Sequence, residues 1–265
     1  MRKKFVLAVL IVFGFAAICV AETGNNVNSD MCKNINLLSL RAHVPVPPAQ
    51  IVSKRNVNGL CELILNIRGE LVPVYATKNY VIAGEMFQDR TQITQTQINR
   101  IKAKRFLSLK SEVEKCVAFT LKPKGEVKHT VYMITDPVCP FCHRAEIQLE
   151  KFAQEHQVEF KFIFYSVHPP VGRQKAIETV CRKLSAEDYL KGNWKKSNET
   201  QEYQCQEGKQ LITESEQLAR KLGVRGVPMF YLEDGTLIPG ANMPALARAL
   251  SKKVDNRIRR ASYAK

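Results

Sequence analysis

The chain has 265 residues, of which 45% are hydrophobic and 25% charged, enough apolar material for one large domain or two modest ones, each with its own core. That balance excludes a disordered or fibrous chain and a disulfide-stapled miniprotein, and a polytopic membrane protein is excluded because the long apolar run is confined to the first residues. Lys and Arg (40) outnumber Asp and Glu (25), a formal charge of +15 that suits acidic partners, an anionic membrane surface or nucleic acid and says nothing about fold.

Arg2, Lys3 and Lys4 precede an apolar run from Phe5 to Ile18, and Ala21 stands before polar ETGNN. This layout predicts a secretory signal peptide over residues 1–21, cleaved after Ala21; the run is short for a transmembrane anchor, which needs about 20 apolar residues. Ile18 argues against a lipoprotein site at Cys19, where a small preceding residue is expected. Export would place the chain where disulfides persist. Cleavage would remove three positive charges and no negative ones, leaving +12, and would leave seven cysteines: Cys32, Cys61, Cys116, Cys139, Cys142, Cys181 and Cys205. An odd count leaves at least one thiol unpaired within the monomer, and points towards redox chemistry.

Residues 22–50 are polar and then proline-rich, poor material for a core. From residue 59 the runs GLCELILNI, LVPVYAT and YVIAGEMF, with turns at Arg68-Gly69-Glu70 and Lys78-Asn79, predict a small antiparallel meander over about 50–90. Residues 95–116 lack glycine and proline and scatter Ile98, Ile101, Phe106, Leu107 and Leu109 among charges, which reads as a mostly solvated helical connector. From about residue 117 strands alternate with helices. A strand is expected over 129–136 and a helix over 142–156 with Ala145, Leu149, Phe152 and Ala153 on one face, followed by a strand over 158–167. Helices follow over 172–184 and 215–223, the latter closed by Gly223. MFYL and LIPG flank Glu233-Asp234-Gly235-Thr236 as a hairpin, and a basic helix runs from about 244 to 254, with RIRR beyond it as a solvated helix end. The order is that of an α/β fold, without internal repeats.

The sharpest motif is Cys139-Pro140-Phe141-Cys142, at a strand-to-helix junction. A thiolate attacks disulfides and a thiol does not, so a nucleophilic cysteine needs a lowered pKa. At a helix N-terminus the Cys139 sulfur meets unpaired N–H groups and the positive end of the helix dipole. Pro140 at the helix start forfeits an N–H that has no intrahelical partner in any case. Cys142, one turn in, is placed to attack a mixed disulfide on Cys139, which makes Cys139 the nucleophile and Cys142 the resolving thiol. His143 and Arg144 either add positive charge here or face solvent. A zinc site would need a second ligand pair at metal spacing, which is missing, so no metal is expected. A structural disulfide across two residues at a helix start would be strained. Cys139-Pro140-Phe141-Cys142-His143 also spells the c-type haem attachment, but an α/β pattern rather than helical surroundings follows it.

Far downstream, Val227-Pro228 precedes a strand and the hairpin. This is either an ordinary trans proline at a strand start or a cis proline that faces the dithiol and offers the preceding backbone to an extended substrate. TDPVCPFCHRAEIQLEKF, YSVHPPVGRQKAIETVC and LGVRGVPMFYLEDGTLIPG together resemble the catalytic domain of the bacterial periplasmic disulfide isomerases DsbC and DsbG over about 117–252. Residues 45–95 resemble their N-terminal dimerisation domain more weakly.

The resemblance implies an α/β fold, with a thioredoxin-like catalytic domain carrying a helical insertion (117–265). A small α+β, cystatin-like dimerisation domain (22–94) and a helical linker (95–116) would precede it. It implies a V-shaped periplasmic homodimer without a cofactor, a cleft for misfolded or oxidised exported proteins, and a membrane reductase of the DsbD type as partner. Val227 and Pro228 would form the substrate-binding cis-proline loop, and Cys181 and Cys205 a structural disulfide in the insertion. A Cys32–Cys61 bridge would then leave Cys116 free, although no sequence rule fixes that pairing. Nucleic acid is not expected for an exported chain without a recognition motif.

The departures concern redox direction. Pro140-Phe141 is nearer the DsbG dipeptide (Pro-Tyr) than the DsbC one (Gly-Tyr), and Val227 stands where both relatives have threonine, as in the oxidase DsbA. The expected activity is thiol:disulfide isomerase/reductase. A DsbG-like sulfenic-acid reductase, a dithiol oxidase and a redox-independent periplasmic chaperone are the alternatives.

Overall fold

The structure is a computed structural model that describes residues 32–195 and 203–252. The expected leader over 1–21 and the RIRR stretch lie outside the described residues.

The N-terminal part opens with a short helix, α1 (Leu37–Arg41), capped by Asn36, whose side chain accepts from the Ser39 N–H at 3.0 Å. Four antiparallel strands follow in spatial order: β1 (Gln50–Val57), β2 (Leu60–Ile67), β3 (Glu70–Ala76) and β4 (Val81–Ala83). Edge strand β1 (QIVSKRNV) carries Ser53, Lys54, Arg55 and Asn56 in sequence and is only partly buried, so it lacks the apolar run that marks β2 and β3.

The two faces of β2 bury different chemistry. Cys61, Leu63 and Leu65 pack with Ile35, Leu40, Val74 and Ala76, and a Cys32–Cys61 disulfide ties the preceding segment to this face. On the opposite face Glu62 is fully buried; it pairs with Arg55 and accepts from the Tyr75 hydroxyl at 3.2 Å. Tyr75 is also hydrogen-bonded to Thr94 at the start of the next helix. A buried carboxylate is tolerated only when paired and hydrogen-bonded, and these contacts supply both.

A two-stranded ribbon, β5 (Phe87–Gln88) and β6 (Thr91–Gln92), leads into α2 (Ile93–Ser108) and α3 (Lys110–Lys115). The second sheet is built from β7 (Phe119–Leu121), β8 (His129–Thr135), β9 (Val158–Phe164), β10 (Met229–Leu232) and β11 (Leu237–Pro239), in the spatial order β11-β10-β8-β9-β7. β8 and β9 are parallel and joined by α4 (Pro140–His156); the other pairs are antiparallel. Between β9 and β10 lie α5 (Val171–Cys181), α6 (Ala186–Leu190), a 3₁₀ turn at Asn193–Lys195 and α7 (Gln206–Leu222). A last helix, α8, covers 243–252. No described helix is long and apolar enough to cross a membrane.

Side chains of this sheet alternate between two cores, as a strand's two-residue period requires. Val131 and Met133 of β8, Phe160, Phe162 and Phe164 of β9, and Phe230 and Leu232 of β10 face the core that holds Ala145, Leu149 and Phe152 of α4. Tyr132 and Ile134, Ile163 and Tyr231 face the opposite side. That side is covered by the 95–116 segment itself: Phe106, Val113 and Cys116 are buried there with Leu218 and Leu222 of α7. The segment is mostly exposed or half-buried, as expected, but it is more than a connector. Its few apolar residues roof one face of the sheet while its charges stay exposed or half-buried.

Phe106 is the centre of this contact, its ring stacked on Tyr231 at 4.6 Å and edge-on to Tyr132 at 5.4 Å. Phe106→Ala should cost about 3–5 kcal/mol of unfolding free energy in urea titration. Exposed Leu107→Ala should change it by about 0.5 kcal/mol or less.

Candidate active site

β8 brings the chain to the sheet's edge and Asp136 turns it. The Asp136 side chain is fully buried: Oδ1 accepts from the Val138 N–H at 3.0 Å, while Oδ2 accepts from the Val167 and His168 N–H groups at 2.8 and 3.1 Å and lies 3.0 Å from His168 Nδ1. The Cys139 N–H donates to the Asp136 carbonyl at 3.1 Å. One carboxylate thus fixes both the turn that carries the dithiol and the loop after β9. Gly172, in the first turn of α5, is required by this arrangement, since a Cβ there would lie 2.5 Å from Asp136 Oδ1 and from Ser166 Oγ.

Cys139 is the N-cap of α4, with extended backbone (φ −80°, ψ 121°), and Pro140 occupies the first helical position. Cys139 thus stands at the positive end of the helix dipole, although its sulfur forms no hydrogen bond with the N–H groups of the first turn. From the other side comes the loop before β10, in which the Val227–Pro228 peptide bond is cis. The Cys139 thiol donates to the Val227 carbonyl across 3.8 Å, so residues 88 positions apart in sequence meet at one sulfur. Cys139, Cys142 and Cys116 are free thiols.

Cys142 lies one turn further into α4 and is fully buried. Burial pushes its thiol well above the ordinary value, and hydrogen bonds to Thr135 and to the Asp136 backbone only partly offset this. Behind it stands a residue that the sequence reading missed. Glu146, also nearly fully buried, accepts from Thr135 Oγ1 at 2.8 Å and from the Tyr189 hydroxyl at 2.9 Å through Oε1, while Oε2 meets His143 Nδ1 at 3.0 Å. The available signal was a carboxylate four residues after Cys142, set within the apolar face of Ala145 and Leu149. His143 thus turns towards Glu146 and stacks on Trp194 at 5.6 Å, whereas exposed Arg144 lies over the Phe141 ring at 5.0 Å.

Cys181 and Cys205 form a disulfide from the end of α5 to the N-cap of α7, within the insertion and apart from the dithiol. Cys116 belongs to the α2/α3 side of the sheet, where burial pushes its thiol up. Among the described residues no group of three or more His, Cys, Asp or Glu side chains could hold a metal ion.

In this arrangement the Cys139 sulfur meets the cis-proline loop at the start of α4, while burial holds the Cys142 thiol protonated. Alkylation by iodoacetamide near neutral pH should therefore modify Cys139 first. Cys142 should resist until the pH rises above its ordinary value of 9.0, read by peptide mass spectrometry across a pH series.

The family model for a thioredoxin-like domain matches residues 121–254. No curated protein matches the chain in sequence. Among solved structures it is similar to a linker-deletion mutant of Proteus mirabilis ScsC that also carries a substitution, at 18% identity and TM-score 0.48 over 62% of this chain and 87% of that one. It is also similar to α-DsbA2 from Wolbachia pipientis, at 14% identity and TM-score 0.49 over 59% and 97% of the two chains. For Helicobacter pylori DsbG the values are 15% identity and TM-score 0.36 over 69% and 93%.

Proposed function

We propose, for a chain that belongs to the thioredoxin-like domain family, the activity of a thiol:disulfide oxidoreductase that rearranges or reduces incorrect disulfides in exported proteins through Cys139 and Cys142. The observation that carries this reading is the meeting of the Cys139 sulfur, at the start of α4, with the Val227 carbonyl before Pro228. A client chain lying in extended form along Val227 would present its disulfide directly to that sulfur.

The Cys139 thiolate attacks one sulfur of the client disulfide; the S–S bond breaks, a client thiolate leaves, and Cys139 is held in a mixed disulfide. In isomerisation a second client thiolate then attacks the client sulfur and returns Cys139 with its electron pair. In reduction Cys142 attacks the Cys139 sulfur instead, forming the Cys139–Cys142 disulfide and expelling the second client thiolate, which takes up a proton. The buried Cys142 must lose its own proton first. The Thr135 hydroxyl, hydrogen-bonded to Cys142 and donating to Glu146, bridges that thiol to the Glu146 carboxylate. Glu146 is thus a positioning and proton-accepting residue that acts through Thr135.

The finer reading includes export through the 1–21 leader, a homodimer, and regeneration by a DsbD-type membrane reductase. It rests on the sequence resemblance.

Reactivation of scrambled ribonuclease tests the central reading. The chain lacking residues 1–21 should restore activity, Cys139→Ser should abolish it, and Cys142→Ser should accumulate mixed disulfide. Failure to reactivate combined with rapid oxidation of a reduced substrate would overturn isomerisation in favour of an oxidase, with Val227 as its marker.

Glu146→Gln should slow the Cys142 step by about 10²-fold or more at neutral pH. Its rate should climb with pH towards the thiol's own ionisation, while the initial Cys139 attack is unchanged. Stopped-flow measurement of mixed-disulfide decay from pH 6 to 10 would show this, and a parallel loss in both steps would mean that Glu146 only supports the fold.

A further inference from the structure

A second site lies at the root of the cis-proline loop and does not depend on the reading above. The β2–β3 turn, helix α2 and the loop that follows α7 enclose a cleft of about 360 Å³ that is open to solvent. Lys102 and Arg105 reach into it from α2, and Arg225 from the loop three residues before Pro228; Glu70 and Glu85 are its carboxylates. Glu70 is already paired with Arg225 at 3.0 Å, tying the β2–β3 turn to that loop.

Lys102 and Arg105, three residues apart, share one helical face and are both half-buried. Neither forms an ion pair with a carboxylate among the described residues. Burial and the neighbouring guanidinium both hold the Lys102 ammonium below its ordinary value. Two like charges side by side in a partly dry cleft destabilise each other until an anion joins them. Gly223 shapes the floor: a Cβ there would meet Arg105 Nη1 at 3.2 Å and the Gly69 carbonyl at 3.1 Å.

We propose that this cleft binds a small tetrahedral oxyanion of the phosphate class, held between the Lys102 ammonium and the Arg105 guanidinium. The guanidinium fork takes two oxygens of such an ion and the ammonium takes a third, a match that a planar carboxylate with two oxygens does not offer. The positive excess of the whole chain raises the local concentration of anions. Because the cleft is already open, binding needs no rearrangement, and the bound ion would brace α2 against the loop that carries Val227.

Isothermal titration of inorganic phosphate into the chain lacking residues 1–21 tests this, with succinate as a second titrant. One phosphate per chain should bind, Lys102→Gln should weaken it about tenfold or more, and Lys151→Gln, on the exposed surface of α4, should leave it unchanged. Thermal unfolding supplies the control for folding. Without phosphate the Lys102→Gln variant should melt no lower than the unsubstituted chain, because it loses a charge held beside another, and phosphate should raise the Tm of the unsubstituted chain alone. The proposal is overturned if phosphate does not bind, if Lys102→Gln binds it as tightly, or if succinate binds and phosphate does not.

Discussion

Two thiols separated by two residues must behave in opposite ways, and the position of α4 relative to the sheet makes that possible. The first turn of the helix leaves backbone N–H groups without intrahelical partners, and Cys139 is the N-cap at that end. One turn later the same helix presses its apolar face onto the sheet, and Cys142 is carried into that contact. The difference between the two sulfurs is thus one of register on a single helix. Both residues are buried, and what separates them is that Cys139 meets the Val227 carbonyl at the helix start while Cys142 lies inside the first turn. Asp136 holds the register, because its carboxylate binds the turn before α4 and the loop after β9 together.

Everything that holds the site therefore converges on the parallel pair β8 and β9. One face of this pair carries α4, with Glu146 buried at the seam and satisfied by Thr135, Tyr189 and His143. A carboxylate with three partners is stable where a bare one would not be, and through Thr135 it is linked to the buried Cys142 thiol. The other face is closed by α2 and α3, with Phe106 stacked on Tyr231. Since Tyr231 lies three residues beyond Pro228, the roof of the second core also steadies the strand that follows the cis-proline loop.

The charge of the chain takes on meaning only when located. Several lysines and arginines are countered locally, as exposed Lys221 is by Glu112 and half-buried Lys161 by Glu114. Lys102 and Arg105 differ: among the described residues neither is in an ion pair, although Glu70 and Glu85 line the same cleft and Glu70 pairs with Arg225. An ion bound there would act at the point where the two parts of the chain touch.

The sequence by itself was enough to place the dithiol at a helix start, because the expected strand over 129–136 has β-branched and aromatic content and the segment over 142–156 has a helical period. It was also enough for the hairpin around Asp234-Gly235 and for the strands with continuous apolar runs. Edge strand β1 falls inside the expected meander but was not recognisable as a run because five of its eight residues are polar, and the 95–116 segment read as solvated because a helix with few apolar residues gives no strong period even when several of them are buried. Tertiary structure alone decided that Val227 meets Cys139, that Cys32 reaches Cys61, and that Glu146 faces inward. The physical reason is common to all three: local pattern reports which residues avoid water, whereas a hydrogen bond, a disulfide or a buried carboxylate depends on which distant group stands opposite.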